Sequence, residues 1–145
     1  MKKLSVIIWA CLAPFAAIAA PETPAPGTPL RQEIMDTIRV LAGFDLGPPI
    51  EFVVIQLEVD GNRAFARVMA QRPGGTPISI VETPMVQRDQ MPIDLIDGPR
   101  MEAFLVNANG KWYVDAYAIG ATDVWWIGPP FCGNYAQFLP EQACN

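Results

Sequence analysis

Apolar positions recur along the chain in three rhythms, helical, alternating and continuous, and each predicts a different element. Leu30, Ile34, Ile38 and Leu41 fall three or four residues apart, after Thr28 as an N-cap hydroxyl and Pro29 at a first helical position. They predict an amphipathic helix from Leu30 to Leu41, with Gly43 as its stop and Asp36 and Arg39 on its solvated side. Two β-branched-rich stretches alternate instead, around Asp60-Gly61 and Asn109-Gly110, pairs suited to two-residue hairpin turns. In the first hairpin such a loop sets Leu57 against Ala64, Ile55 against Ala66 and Val53 against Val68, one wholly apolar face. Its reverse carries Glu58 opposite Arg63, Gln56 opposite Phe65, Val54 opposite Arg67 and Phe52 opposite Met69. The second hairpin sets Leu105 against Val114, Ala103 against Ala116 and Met101 against Ala118. Its reverse interleaves aromatics with carboxylates: Val106 with Tyr113, Phe104 with Asp115 and Glu102 with Tyr117.

Alanines on the apolar faces leave room for the helix. The expected architecture is α+β: one N-terminal helix on an antiparallel sheet of about four to five strands, with a disulfide-tied C-terminal tail. Between the hairpins, Arg72-Pro73-Gly74-Gly75 reads as a turn and Pro77 to Thr83 as a short strand bearing Ile78 and Ile80. Pro84, Pro92 and Pro99 make the remainder irregular, a connection crossing between hairpins rather than a lid.

The continuous apolar run lies at the front. Lys2 and Lys3 precede Leu4 to Ala16, and Ala17 and Ala19 supply the small side chains a signal peptidase needs, so cleavage is expected between Ala19 and Ala20. The chain divides into a signal peptide, 1–19, a proline-rich extended linker, 20–28, and one domain, 29–145. An uncleaved anchor is the competing reading, but Leu4 to Ala20 only reaches the minimum length for a span and Pro14 interrupts it. Cys11 leaves with the leader; it follows bulky Trp9, unlike a lipoprotein signal. The expected location is periplasmic or secreted, with a membrane as partner only if the leader is retained.

Removing Lys2 and Lys3 from 10 basic residues leaves 8 against 15 acidic ones, a formal charge of −7. The basic side chains are scattered, so nucleic acid is excluded as a partner. Export leaves one possible cysteine pair, Cys132 with Cys144, closing a loop of about 13 residues that contributes on the order of 3 kcal/mol. With no histidine and no CxxC, no metal and no cofactor is expected, and Asp89, Asp94 and Asp97 lack the spacing of a calcium loop.

The helix-then-meander order from Leu30 to Ile119 resembles the cystatin-like and nuclear-transport-factor-like α+β rolls. Trp112-Tyr113-Val114, followed by Ile119-Gly120-Ala121-Thr122-Asp123-Val124-Trp125, resembles a motif of small secreted bacterial proteins of unassigned activity. The rolls include inhibitors, binding modules and occasional enzymes, so the resemblance implies a fold and selects no activity.

Enzyme chemistry has few groups to use. Histidine is absent and Ser79 is the only serine after the leader, which rules out serine and cysteine triads. Carboxylates remain: Asp115 beside Phe104 and Glu102 nearby are the candidate acid or base, helped by Tyr113, Tyr117 or Arg100. The plainer reading of both is a partly exposed strand residue satisfied by water or arginine. The aromatics crowded near the end supply the stronger signal, and Tyr113, Tyr117, Trp125 and Trp126 are the candidate partner-binding residues. Two accounts compete: a disulfide-tied tail that closes a core over the mixed sheet face, or a surface for an unknown protein or small apolar ligand. The expected function is that of a non-enzymatic binding or accessory protein of the cell envelope, with a carboxylate-dependent enzyme in a roll-shaped pocket and an envelope structural protein tethered by an uncleaved leader as the alternatives.

Overall fold

Helix α1 begins as the sequence predicts. Thr28 accepts the Arg31 N–H at its hydroxyl and Pro29 opens the first turn. Its end differs: Gly43 does not stop it, and α1 runs from Pro29 to Leu46. The buried stripe continues through Ala42 to Leu46, and that packing outweighs one unfavourable glycine. Gly47, at φ +76°, then turns the chain out. Arg72, from the end of the next hairpin, donates to the carbonyls of Leu46 and Pro49, each at 3.0 Å, and to that of Gly47. It thereby satisfies the orphan acceptors of the last turn. The computed structural model describes residues 20–144, so the expected signal peptide, 1–19, lies outside the described residues.

Four antiparallel strands follow as a meander, β1 (Glu51–Asp60), β2 (Arg63–Gln71), β3 (Arg100–Ala108) and β4 (Lys111–Ile119), in that spatial order. The β3–β4 turn is Asn109-Gly110 as expected, both residues at positive φ. The β1–β2 turn is centred one residue later than expected, on Gly61-Asn62, with only Gly61 at positive φ. Leu57 therefore faces Ala66, and Val59 faces Ala64. The pairing slips by two residues, which leaves this apolar set on the helix side.

Two bulges correct the rest of the expected registers. On β1 the extra residue is Ile55: beyond it Val54 faces Val68 and Phe52 faces Ala70. One inserted residue inverts the alternation, so Val54 and Phe52 pack on the helix side while Val53 and Ile55, expected inside, are 49% and 53% exposed. On β4 the extra residue is Asp115. Leu105 faces Val114 as expected, but Phe104 faces Ala116, Ala103 faces Tyr117 and Met101 faces Ile119. Ala116 and Ala118 thus lie away from the helix, and Tyr117 and Ile119 pack toward it.

Two cores result, one on each side of the sheet. The larger joins Ile34, Ile38 and Leu46 of α1 to Leu57, Val68, Met101 and Leu105 across a floor of alanines. The strand expected over Pro77–Thr83 does not form; the segment ends in a 3-10 turn, Ile80–Glu82, followed by helix α2, Pro84–Asp89. Pro77 and Pro84 have no N–H to offer a ladder, and buried Thr83 donates its hydroxyl to the Ile80 carbonyl at 2.6 Å. Arg88 of α2 and Tyr117 of β4 meet on buried Asp45 of α1, each donating at 2.8 Å. The proline-rich segment is not detached: Glu22 and Val59 exchange two 2.8 Å backbone hydrogen bonds, and Pro24 is buried.

Candidate functional site

The second core answers the question the sequence left open about the sheet's other face. Beyond β4 the chain returns over that face through Trp125, Trp126, helix α3 (Phe131–Tyr135) and two 3-10 turns, Ala136–Phe138 and Glu141–Ala143. Phe104, fully buried at the centre, has ring centroids 4.7 Å from Tyr135, 5.0 Å from Phe65 and Phe131, and 5.7 Å from Trp125. Each such pair adds about 0.5–1.5 kcal/mol beyond the area it buries. Cys132 and Cys144 are bonded as expected, with Cα atoms 5.3 Å apart. Both cysteines belong to the tail itself, so the bond closes the tail into a knob around Tyr135 and Phe138 and does not join it to the sheet.

Tyr135 ties the knob to Arg63 and Asp115 of the sheet, and the tryptophans before it are tied by Glu102. This buried carboxylate accepts from Arg67 Nε at 2.7 Å through one oxygen and from the indole N–H groups of both Trp125 and Trp126, each at 3.0 Å, through the other. β2 and β3 place Arg67 directly opposite Glu102, and two consecutive tryptophans converge because the chain there is a turn rather than a strand. Arg67 also donates to Gln56 at 3.1 Å and lies over the Phe65 ring. Three charge-assisted donors satisfy the charge that burial would otherwise penalise.

The other candidates fall in different places. Asp115 is not opposite Phe104; as the bulge residue it lies exposed at the rim, where the Tyr135 hydroxyl donates to it at 2.8 Å. Tyr113 is 51% exposed beside the β3–β4 turn. Tyr117 is on the opposite side of the sheet, bonded to Asp45. Trp125 is half-buried and Trp126 buried, so the four aromatics do not form one surface. Arg100 donates to the Ala121 carbonyl at 2.9 Å and pairs with Asp97 at 3.4 Å.

Around this plug the face stays open in two places. A cleft of about 370 Å³ is lined by Arg67, Arg100, Glu102, Thr122, Asp123, Val124 and Trp126, and one of about 310 Å³ by Gln56, Glu58, Arg67, Trp126, Phe138 and Leu139 among others. Arg67 and Trp126 are common to both, a ridge with a cleft on either side. Sequence reasoning missed Arg67, counting it only among scattered cations. The alternation of its hairpin puts it on the polar face, but its partner belongs to the other hairpin.

Two groups carry a pH signature. Burial, with the hydrogen bond to Asp115 second, pushes Tyr135 up to about 12, and burial followed by Asp45 does the same for Tyr117. A folded value above the unfolded one of about 10 means stability that is complete below pH 10 and lost as pH rises toward 12. For buried Tyr135 the loss is on the order of 2 kcal/mol. Urea midpoints between pH 9 and 12 should fall accordingly, and Tyr135→Phe should make that fall shallower, leaving the share of Tyr117. Removing the disulfide through Cys132→Ser with Cys144→Ser should cost about 3 kcal/mol. Because the bond closes only the tail, hydrogen exchange should accelerate there and stay slow in β1–β4.

Among the described residues no group of three or more His, Cys, Asp or Glu side chains could hold a metal ion, and no helix is long and apolar enough to cross a membrane. The site is a sealed aromatic core with a buried carboxylate whose oxygens are both engaged, flanked by two open clefts on a small α+β fold. No family model, curated protein or solved structure matches the chain.

Proposed function

We propose that the chain is an exported, non-enzymatic binding or accessory protein of the cell envelope. It takes a small ligand on the second sheet face, in the clefts beside the Arg67–Trp126 ridge. One observation carries this reading: the tail buries the middle of the face yet leaves Arg67 and Trp126 as a shared wall between two clefts of about 370 and 310 Å³. Trp126 and Val124 offer apolar contact, while Arg67 spends Nε and Nη1 on Glu102 and Gln56 and has Nη2 in no hydrogen bond among the described residues. An apolar body with an acidic end fits those groups. A binding role is favoured over catalysis because both oxygens of Glu102 already accept hydrogen bonds that anchor the tail, and Asp115 sits exposed on the rim. The helix laid across a meander also supports a roll of the cystatin-like or nuclear-transport-factor-like kind, and the disulfide suits an oxidising, extracytoplasmic compartment.

The test uses an anilinonaphthalene sulfonate dye, which has an apolar body and an anionic end. The folded protein should bind it saturably, and Thr122→Trp, which fills the larger cleft from an exposed position, should weaken binding at least about fivefold with unchanged thermal stability. Dye affinity indifferent to Thr122→Trp, or no saturable binding, would sink the proposal.

A further inference from the structure

A third cleft, of about 440 Å³, lies between the two hairpin tips, and Ala20 lines it together with Glu22, Leu30, Asp60, Asn107 and Trp112. We infer that this cleft is a docking site for the chain's own α-ammonium group, created at Ala20 when the leader is removed and held by the carboxylates of Asp60 and Glu22. The inference rests on reading residues 1–19 as a cleaved signal peptide. The backbone sets the position. Glu22 is fixed against Val59 by two 2.8 Å hydrogen bonds, and the antiparallel register carries Pro21 past Asp60 and Ala20 past Gly61. Proline's locked φ restricts the single residue between the anchor and the new terminus.

Charge points the same way. Asp60 and Glu22 enter no ion pair among the described residues. Arg63, paired with Asp60 across the turn, directs its guanidinium to the Tyr135 hydroxyl at 3.3 Å and over that ring. A free α-amine is cationic at neutral pH, whereas in the uncleaved chain the same nitrogen is a neutral amide. Processing therefore adds the cation to a cleft that already holds two carboxylates, tying the terminus to the hairpin tips.

Lys111 is the only lysine after the leader, so processed protein has two amines and their reactivities can be compared within one molecule. The full chain is exported from a bacterial host, its terminus read by mass spectrometry, and both amines acylated with limiting reagent at pH 7. Material should begin at Ala20, and its α-amine should react about two- to fivefold more slowly, relative to Lys111, than in Asp60→Asn. High salt should remove the same protection from the unaltered chain, a check that needs no substitution. Material beginning at Met1 would overturn the leader reading itself, and a cut at any other position would overturn the placement of the amine at Ala20. A terminus at Ala20 whose reactivity is unmoved by Asp60→Asn and by salt would overturn the docking site alone.

Discussion

Glu102→Leu should release the tail: tryptophan emission shifts to the red and the urea midpoint falls by the equivalent of about 3 kcal/mol. The substitution leaves Arg67 and two indole N–H groups without the acceptor that now takes all three. Breaking one side of a buried ion pair costs about 3–5 kcal/mol, and the lower end applies because the Arg67 side chain is 30% exposed and water screens it. Glu102→Gln keeps an oxygen for the indoles and gives up only the charge, so its loss should be about 1–2 kcal/mol. Equal stability of Glu102→Leu and the unaltered chain in urea would show that the carboxylate does not hold the tail.

The second large effect belongs to Gly120, where β4 ends and the chain leaves for the tail. Its φ of +66° is costly for any other residue, and a Cβ there would lie 2.4 Å from Ile96 Cγ2 and 2.7 Å from the Gly98 carbonyl oxygen. The backbone oxygen cannot rotate away, since this strand end is fixed by two bonds: Gly120 N–H to Arg100 O at 2.7 Å and Asp97 N–H to Gly120 O at 2.8 Å. Gly120→Ala should therefore cost about 2–5 kcal/mol, the sum of a left-handed backbone penalty and an overpacking term. Gly128→Ala is the matched control, with φ at +87° and nothing within 4 Å of the new carbon, so only the backbone part of about 1–2 kcal/mol remains. Thermal melts of the two variants separate the terms, and equal losses would mean that the contact with residues 96–98 relaxes freely.

Both effects sit where distant parts of the chain meet, which is also where reading the sequence stopped. Local chemistry determined the elements. Thr28-Pro29 starts α1, Asn109-Gly110 turns β3 into β4 with both residues at positive φ, and the alternation of Ala64, Ala66 and Ala103 in β2 and β3 marks the face on which the helix lies. The pairing of Cys132 with Cys144 also followed from the sequence, because setting Cys11 aside with the expected leader leaves no other choice. These signals span a few residues or a simple count, and their physics is complete within that span.

Tertiary structure decided the rest. Gly43 is a stop by propensity, but burial of Leu46 and the reach of Arg72 carry the helix past it. Ile55 and Asp115 are ordinary strand residues in isolation; as bulges they invert the faces beyond them, sending Tyr117 to the helix side and Asp115 to the rim. No local pattern announces a bulge, since it relieves strain between strands that must both pack and twist. The bond between Arg67 and Glu102 spans 35 positions, and the tail chose the sheet's second face because Phe65 and Phe104 offered it apolar area there. A period of two or of 3.6 reports which side of its own element a residue occupies. Which other element covers that side is a property of the assembled chain, and the clefts beside Trp126 exist only because the tail covers part of the face and not all of it.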